Sequence, residues 1–198
     1  SAASDILIEN PNVDFLIQGE GEESISELLD LLERNSSNYK TIPNLWYKEN
    51  GKVLNNPLRP FMNMDTIPFQ NVELWDRRHF FKAYDGTMYW TGYFEMSRGC
   101  PYLCTYCNSP FQVELYKRET NTSFFRKKKI ELVYKELKYF KENHGVEYNY
   151  FWADTFLSWS NQEFDEFCEM YSEIKLPFWM QTRPETLTDY KVKRLAEV

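Results

Sequence analysis

Three cysteines stand close together, Cys100, Cys104 and Cys107, in the run Arg98-Gly99-Cys100-Pro101-Tyr102-Leu103-Cys104-Thr105-Tyr106-Cys107-Asn108. Thiolates are soft ligands suited to zinc or to iron–sulfur clusters, and three of them on one loop can hold three corners of a metal site. Disulfide scaffolds spread their cysteines to staple distant loops, so a cluster in a chain of this size points to a metal instead. The fourth cysteine, Cys168, falls on the apolar side of a predicted helix, where a free cysteine is an ordinary core residue. Three ligands and one vacancy is the pattern of a reactive metal site whose open position receives a substrate or cofactor. The alternatives are a structural zinc knob completed by His79 or His144, and cysteines buried incidentally.

Two further runs end predicted strands. Phe151-Trp152-Ala153-Asp154-Thr155-Phe156 offers the Asp154 carboxylate, which can bind an amino group or cap the turn that follows. Gln181-Thr182-Arg183-Pro184-Glu185 offers Arg183, whose planar fork can pair with a ligand carboxylate or with Glu185 in a strand-end salt bridge. In Gly19-Glu20-Gly21-Glu22 the two glycines let backbone come close to a ligand, and a plain tight turn satisfies the same pattern. Arg126-Lys127-Lys128-Lys129 precedes a helix start, an electrostatically poor place for cations, and reads as a solvated run rather than a phosphate patch. His144 adjoins a helix end as a capping cation, and His79 shows no partner in the sequence.

The elements that must position these residues alternate. Residues 13–18 read as a short buried strand, followed by the glycine turn and a helix over 23–34 with an apolar stripe of helical period. Leu45-Trp46-Tyr47 and Val53-Leu54 flank an Asn50-Gly51 turn, which predicts a β-hairpin. Between Pro57 and Asp85 the periodicity dissolves into prolines interleaved with aromatics, an ordered connector. Residues 87–97 read as a strand leading straight into the cysteines. Helical spacing returns at Ile130, Val133, Leu137 and Phe140 and stops at Gly145. A strand over 146–152, a helix near 161–173, a strand over 176–181 and a helix from about Leu187 follow. Strands alternating with helices at this spacing predict a parallel sheet covered by helices.

The 198 residues are 42% hydrophobic, 27% charged and 18% aromatic, the profile of a packed globular chain rather than a disordered one. A net charge of -7 argues against a broad nucleic-acid surface, which needs clustered positive charge. No apolar run approaches the ~20 residues of a membrane span, and the opening Ser1-Ala2-Ala3-Ser4-Asp5 has no signal-like character, so a cytoplasmic setting is expected.

The spacing Cys-x3-Cys-x2-Cys, with the aromatic Tyr106 directly before the last cysteine, resembles the signature of the radical S-adenosylmethionine (SAM) superfamily. The resemblance implies that Cys100, Cys104 and Cys107 bind three irons of a 4Fe-4S cluster and that SAM chelates the fourth. An electron from a low-potential donor such as flavodoxin or ferredoxin then cleaves the sulfonium, giving methionine and a 5′-deoxyadenosyl radical. It also implies cofactor contacts for Tyr106, for Asp154 at the SAM amino group, and for Arg183 and Glu185 after the third strand. The implied fold is α/β, a partial (β/α) barrel of radical SAM type with the cluster loop after its first strand.

Asn10 to Glu22 resembles the last strand and turn of the Rossmann-like cobalamin-binding domain that precedes the barrel in one large branch of that superfamily. Asp65-Thr66-Ile67-Pro68-Phe69 and the stretch from Gly92 to Cys100 resemble the connector and cluster lead-in of the same branch. Cobalamin thereby becomes a further implied cofactor, with Gly19 and Gly21 as remnants of its pocket. The expected organisation is residues 1–35 as the C-terminal strand and helix of the cobalamin-binding domain, 36–85 as a connector with a hairpin, and 86–198 as the first three βα units of the barrel. An internal fragment is expected, because the front of the cobalamin domain and the later barrel units are not in the sequence. Methyl transfer and rearrangement both fit, and the substrate is not readable. The competing expectations are a non-catalytic iron–sulfur or zinc-binding module and a cobalamin-independent radical SAM enzyme.

Overall fold

The computed structural model describes residues 2–198; Ser1, at the head of the opening segment, lies outside the described residues. The chain forms two compact units, one from the residues up to Met62 with Phe111–Ser123, the other from Asn63–Pro110 with Phe124–Val198.

In the first unit, α1 (Ala2–Glu9) precedes β1 (Phe15–Ile17) and α2 (Glu22–Glu33), and β2 (Leu45–Glu49) and β3 (Lys52–Asn55) form the hairpin. Asn50 and Gly51 both take positive φ, 52° and 74°, the paired left-handed turn that matches strand twist. β1 is shorter than the 13–18 expected and pairs antiparallel with β2, which makes one sheet of order β1-β2-β3. Leu28, Ile42, Leu45 and Tyr47 form its buried core. The Asn56 amide ties the loop beneath by donating to the Tyr39 and Ile42 carbonyls, each at 2.7 Å. α1 was not apparent in the sequence; only Leu7 on it is buried, so the helix has no apolar stripe to announce it.

The second unit carries the cysteines. β4 (Phe81–Tyr84) and β5 (Thr87–Glu95) form a second hairpin through Asp85 and Gly86, with φ 47° and 79°. β6 (Ser97–Arg98) follows, then the cysteine loop; the chain next passes through α3 (Ser109–Thr120), which belongs to the first unit from Phe111 on, and the second unit resumes with β7 (Arg126–Lys127), α4 (Ile130–His144), β8 (Tyr148–Trp152), α5 (Asn161–Ile174), β9 (Phe178–Met180) and α6 (Asp189–Glu197). The sheet order is β4-β5-β8-β9, with β5, β8 and β9 parallel and β4 antiparallel at the edge. α4 stops at Gly145 in the left-handed region, φ 67°, as its sequence predicts. Ser160 and Glu163 form a reciprocal capping box at the start of α5.

Alternation divides this sheet into two faces. Phe94 and Phe151 point to the side covered by α4 and α5, where Val133, Leu137, Phe140, Phe164, Phe167, Cys168 and Tyr171 complete the core. Gly92 lies in the same row because a Cβ there would stand 2.5 Å from the Phe94 ring. The other face is a ladder of rings: Tyr84 stacks on Tyr148 at 4.0 Å, Tyr93 meets Tyr150 at 5.4 Å, and Tyr150 stacks on Trp179 at 4.4 Å.

The basic run corrects one expectation: of its four residues only Lys129 is exposed. Lys128 is buried and donates to Glu136 at 2.7 Å, Lys127 pairs with Glu163, and the Lys129 backbone N–H donates to Asp65 at 2.9 Å. Carboxylates from α4, α5 and the connector pair with the run's three lysines and brace the segment that pairs with the strand before the cysteines. No helix among the described residues is long and apolar enough to cross a membrane.

Candidate functional site

The three cysteines follow the C-terminal end of the first parallel strand, and the runs containing Asp154 and Arg183 follow the ends of the next two. In parallel α/β sheets the strands' carboxyl ends are where ligands bind, because the loops there converge while the core strands hold them rigidly.

The lead-in to the loop is fixed first. Arg98 makes a two-pronged ion pair with Glu95, at 2.9 and 2.8 Å, across the kink that separates β5 from β6. β6 pairs antiparallel with β7, Ser97 opposite Lys127 and Arg98 opposite Arg126. Gly99 then takes φ +76° with its α-carbon so near Phe124 that a Cβ would lie 2.3 Å from the Phe124 carbonyl oxygen. Only glycine turns the chain here, and the turn delivers Cys100.

Each thiol has its own environment, and none is in a disulfide. Cys100 Sγ lies 3.6 Å from the hydroxyl of Thr155, the buried residue after Asp154. Cys104 Sγ accepts from Arg183 Nη1 at 2.8 Å. Cys107 is exposed; Ser109 Oγ lies 3.4 Å from its sulfur and the Ser109 backbone N–H donates to it at 3.4 Å. The Ser109 hydroxyl and then its backbone N–H hold the Cys107 thiol below its ordinary value, with the Asp154 carboxylate pulling the other way. Cys107 thus has neighbours that favour the thiolate, the ligating form. Cys168 is the opposite case: it is fully buried on α5 and burial pushes its thiol up to about 11.

Arg183 follows β9 and is held by three groups. Its Cζ sits 4.3 Å above the Tyr102 ring, Nη2 donates to Glu185 at 2.9 Å, and Nη1 reaches Cys104. Glu185 first, and then Cys104, hold the guanidinium above its usual range, and the same contact keeps the Glu185 carboxyl below its own. The strand-end salt bridge is therefore formed, and it leaves one prong of Arg183 for the cysteine loop. Tyr106 is 91% exposed, and the neighbouring Cys104 sulfur raises its phenol.

The structure brings Tyr102, Cys104, Arg183 and Glu185 together, and Cys100 to Thr155. Gly19 and Gly21 belong to the other unit. Gly19, at φ +88°, has the Tyr116 hydroxyl where a Cβ would be, 1.8 Å away, so a close approach does require glycine, but the approaching group is a side chain of α3. Gly21 caps α2. His144 packs against the Tyr139 and Phe140 rings, and His79 lies in the short helical turn Arg77–Phe80. Among the described residues, no three His, Cys, Asp or Glu side chains converge on a single-ion site. The donors nonetheless suit an iron–sulfur cluster: three soft thiols on one loop, with a cation and hydroxyls at the sulfurs.

Sequence reasoning missed two features. Thr155 was passed over as a neighbour of Asp154, although its hydroxyl is the group at Cys100. The aromatic face was also missed, although its signal is the alternation Tyr89-x-Thr91-x-Tyr93 and Tyr148-x-Tyr150-x-Trp152. Trp152, 58% exposed, ends that ladder two residues before Asp154.

Residues 94–198 match the profile of the radical SAM superfamily. An uncharacterised methyltransferase of Pyrococcus horikoshii, PH0819, is 38% identical over 149 residues, 75% of this chain and 30% of that protein. The structure of TsrM, a radical SAM methyltransferase from Kitasatospora setae with tryptophan substrate and a SAM analogue bound, has a TM-score of 0.64 at 14% identity, covering 99% of this chain and 38% of that one. OxsB, a cobalamin-dependent SAM radical enzyme with aqua-cobalamin and SAM bound, gives 0.63 at 17% identity, covering 98% of this chain and 27% of that one. Both are likenesses of fold. The chain spans well under half the length of each of these proteins.

Proposed function

The chain belongs to the radical SAM superfamily, and from that premise we propose that Cys100, Cys104 and Cys107 bind three irons of a 4Fe-4S cluster in an enzyme of its cobalamin-associated branch, acting by methyl transfer or rearrangement. When bound, such a cluster supplies the electron that cleaves SAM to methionine and a 5′-deoxyadenosyl radical, replenished by a low-potential donor of flavodoxin or ferredoxin type.

The observation that carries the reading is the gathering of these residue types at the carboxyl ends of β5, β8 and β9. Gly99 turns the chain so that the thiols leave the sheet on one loop. Thr155 and Arg183 hold two of the sulfurs from the next two strands. Asp154, exposed after β8, is the carboxylate placed to accept a hydrogen bond from an ammonium group such as that of the methionine end of SAM. The aromatic face offers flat, water-excluding surface beside it.

Residues 86–198 are then the front of the radical SAM core, 36–85 the connector, and 1–35 the end of a cobalamin-binding domain. Similarity to OxsB, whose structure holds cobalamin, supports the last assignment, as does the Asn10–Glu22 resemblance. The test is anaerobic reconstitution with iron and sulfide. Four irons per chain are expected, with loss on Cys→Ala substitution at any of the three positions; stoichiometric zinc in a colourless protein overturns the reading. SAM should perturb the paramagnetic spectrum of the reduced cluster. An unchanged spectrum means that a protein ligand closes the site and favours a non-catalytic module. A full-length protein that takes up no corrin removes the cobalamin assignment alone.

A further inference from the structure

The three sulfurs are not treated alike. Cys100 has the Thr155 hydroxyl at 3.6 Å, and Cys107 has the hydroxyl and backbone N–H of Ser109, at 3.4 Å each. Cys104 accepts from a full cation, Arg183, at 2.8 Å, although 79 residues separate the two in sequence. The guanidinium is immobilised independently of that contact. Its Cζ lies 4.3 Å from the centre of the Tyr102 ring, within the cysteine loop, and it is anchored by Glu185 after its own strand. A fork held over a ring and bridged to a carboxylate is pre-organised in a way that a lysine ammonium cannot be. Its Glu185 partner is 65% exposed while Arg183 is 30% exposed, so water screens the carboxylate more than the cation, and the sulfur meets a net positive field.

Hydrogen bonds to the ligating sulfurs and local charge are among the levers by which a protein sets the potential of an iron–sulfur cluster. A reduced cluster carries one more electron than an oxidised one, and a cationic donor at a ligand sulfur stabilises that extra charge. We propose that Arg183 is a positioning residue of this kind: it clamps the Cys104 side of the loop to the end of β9, and through Cys104 it raises the electron affinity of the cluster. This rests on the reading of Cys104 as a cluster ligand. The one-electron step it tunes takes an electron from an external low-potential donor and leaves it on the cluster, with no bond made or broken. The contact with Cys104 sets this role apart from pairing with a cofactor carboxylate, because it acts before any SAM is bound.

The test uses the full-length protein, reconstituted anaerobically and titrated potentiometrically with paramagnetic detection, without SAM. Arg183→Gln should shift the reduction equilibrium about tenfold toward the oxidised cluster, which for one electron is a midpoint about 59 mV more negative. Arg183→Lys, which keeps the charge and loses the fork, should fall between. In the iron-free protein, amide hydrogen exchange across Gly99–Asn108 should be faster in Arg183→Gln than in the unsubstituted chain. A variant with four irons and an unchanged midpoint overturns the proposal, even if its SAM affinity drops, since that outcome assigns Arg183 to the cofactor carboxylate. If Arg183→Gln holds no cluster, the exchange measurement decides: faster exchange supports the clamp and unchanged exchange overturns it. Failure of the underlying reading looks different, because Cys104→Ala would then keep the full iron content.

Discussion

Gly99→Ala is the substitution whose cost can be worked most directly from the structure. A left-handed backbone at φ +76° costs an L-residue roughly 1–2 kcal/mol. The added Cβ would also lie 2.3 Å from the Phe124 carbonyl oxygen and 2.8 Å from its carbon, and backbone atoms cannot swing aside as a side-chain tip can. Relief requires the Phe124 segment to move, and with it the pairing of Ser97 with Lys127 and Arg98 with Arg126, where each lost hydrogen bond costs about 0.5–1.5 kcal/mol. The expected destabilisation is about 2–4 kcal/mol, at the upper end of what single substitutions do. Gly86→Ala supplies the control: φ is +79°, and nothing lies within 4 Å of the added Cβ, so only the backbone term of roughly 1–2 kcal/mol remains. Five of the six tryptophans lie in the second unit, so urea unfolding followed by tryptophan fluorescence reports on it, with a lowered midpoint at constant slope as the expected signature. If Gly99→Ala is no less stable than Gly86→Ala, the close approach to Phe124 does not hold the cysteine loop.

Three further expectations concern the core behind the site. Burial raises the Cys168 thiol from 9.0 to about 11, so the folded state keeps its proton after the unfolded chain has lost it. The resulting stability is complete below pH 9 and is lost as pH rises to 11; at about 1.4 kcal/mol per pH unit it is on the order of 2–3 kcal/mol, and Cys168→Ala should flatten that part of a urea-midpoint pH profile. Tyr171→Phe removes the hydroxyl that accepts from Asn149 at 2.7 Å and donates to the Leu176 carbonyl at 2.8 Å, depriving the buried Asn149 amide and the half-buried Leu176 carbonyl of that partner at a cost of about 1–3 kcal/mol by denaturant unfolding. Lys128→Met strands the Glu136 carboxylate, whose pKa burial already raises, and should cost about 3–5 kcal/mol. Adding Glu136→Leu should recover most of that loss, and a double variant no more stable than the single one would argue that the pair is not isolated from water.

Local signals were legible where one residue sets one geometry. Asn50-Gly51 makes a hairpin and Gly145 ends a helix because positive φ is a property of the residue itself. The amphipathic helices α4 and α5 were legible because their apolar period reports the face that packs on the sheet. The partners of β1 were not, since nothing in a three-residue strand says whether its neighbour runs parallel or antiparallel. α3 hid for a related reason: its apolar residues Phe111, Val113, Leu115 and Tyr116 follow no single stripe.

The site shows the same division in chemical terms. Three cysteines at fixed spacing declare a ligand set because the chemistry needs those atoms on one loop. The groups that act on the sulfurs come from elsewhere in the chain. Thr155 reaches Cys100 because β8 lies beside β5, and Arg183 reaches Cys104 because β9 lies beside β8. Sequence offered two partners for Arg183, a ligand carboxylate and Glu185, and could not offer a third that lies 79 residues away. The basic run makes the converse point. Four consecutive cations look like an exposed surface until helix packing brings Glu136 and Glu163 to them. The Lys127 and Lys128 charges are then paired internally, bracing β7 against β6 one glycine before the first cysteine.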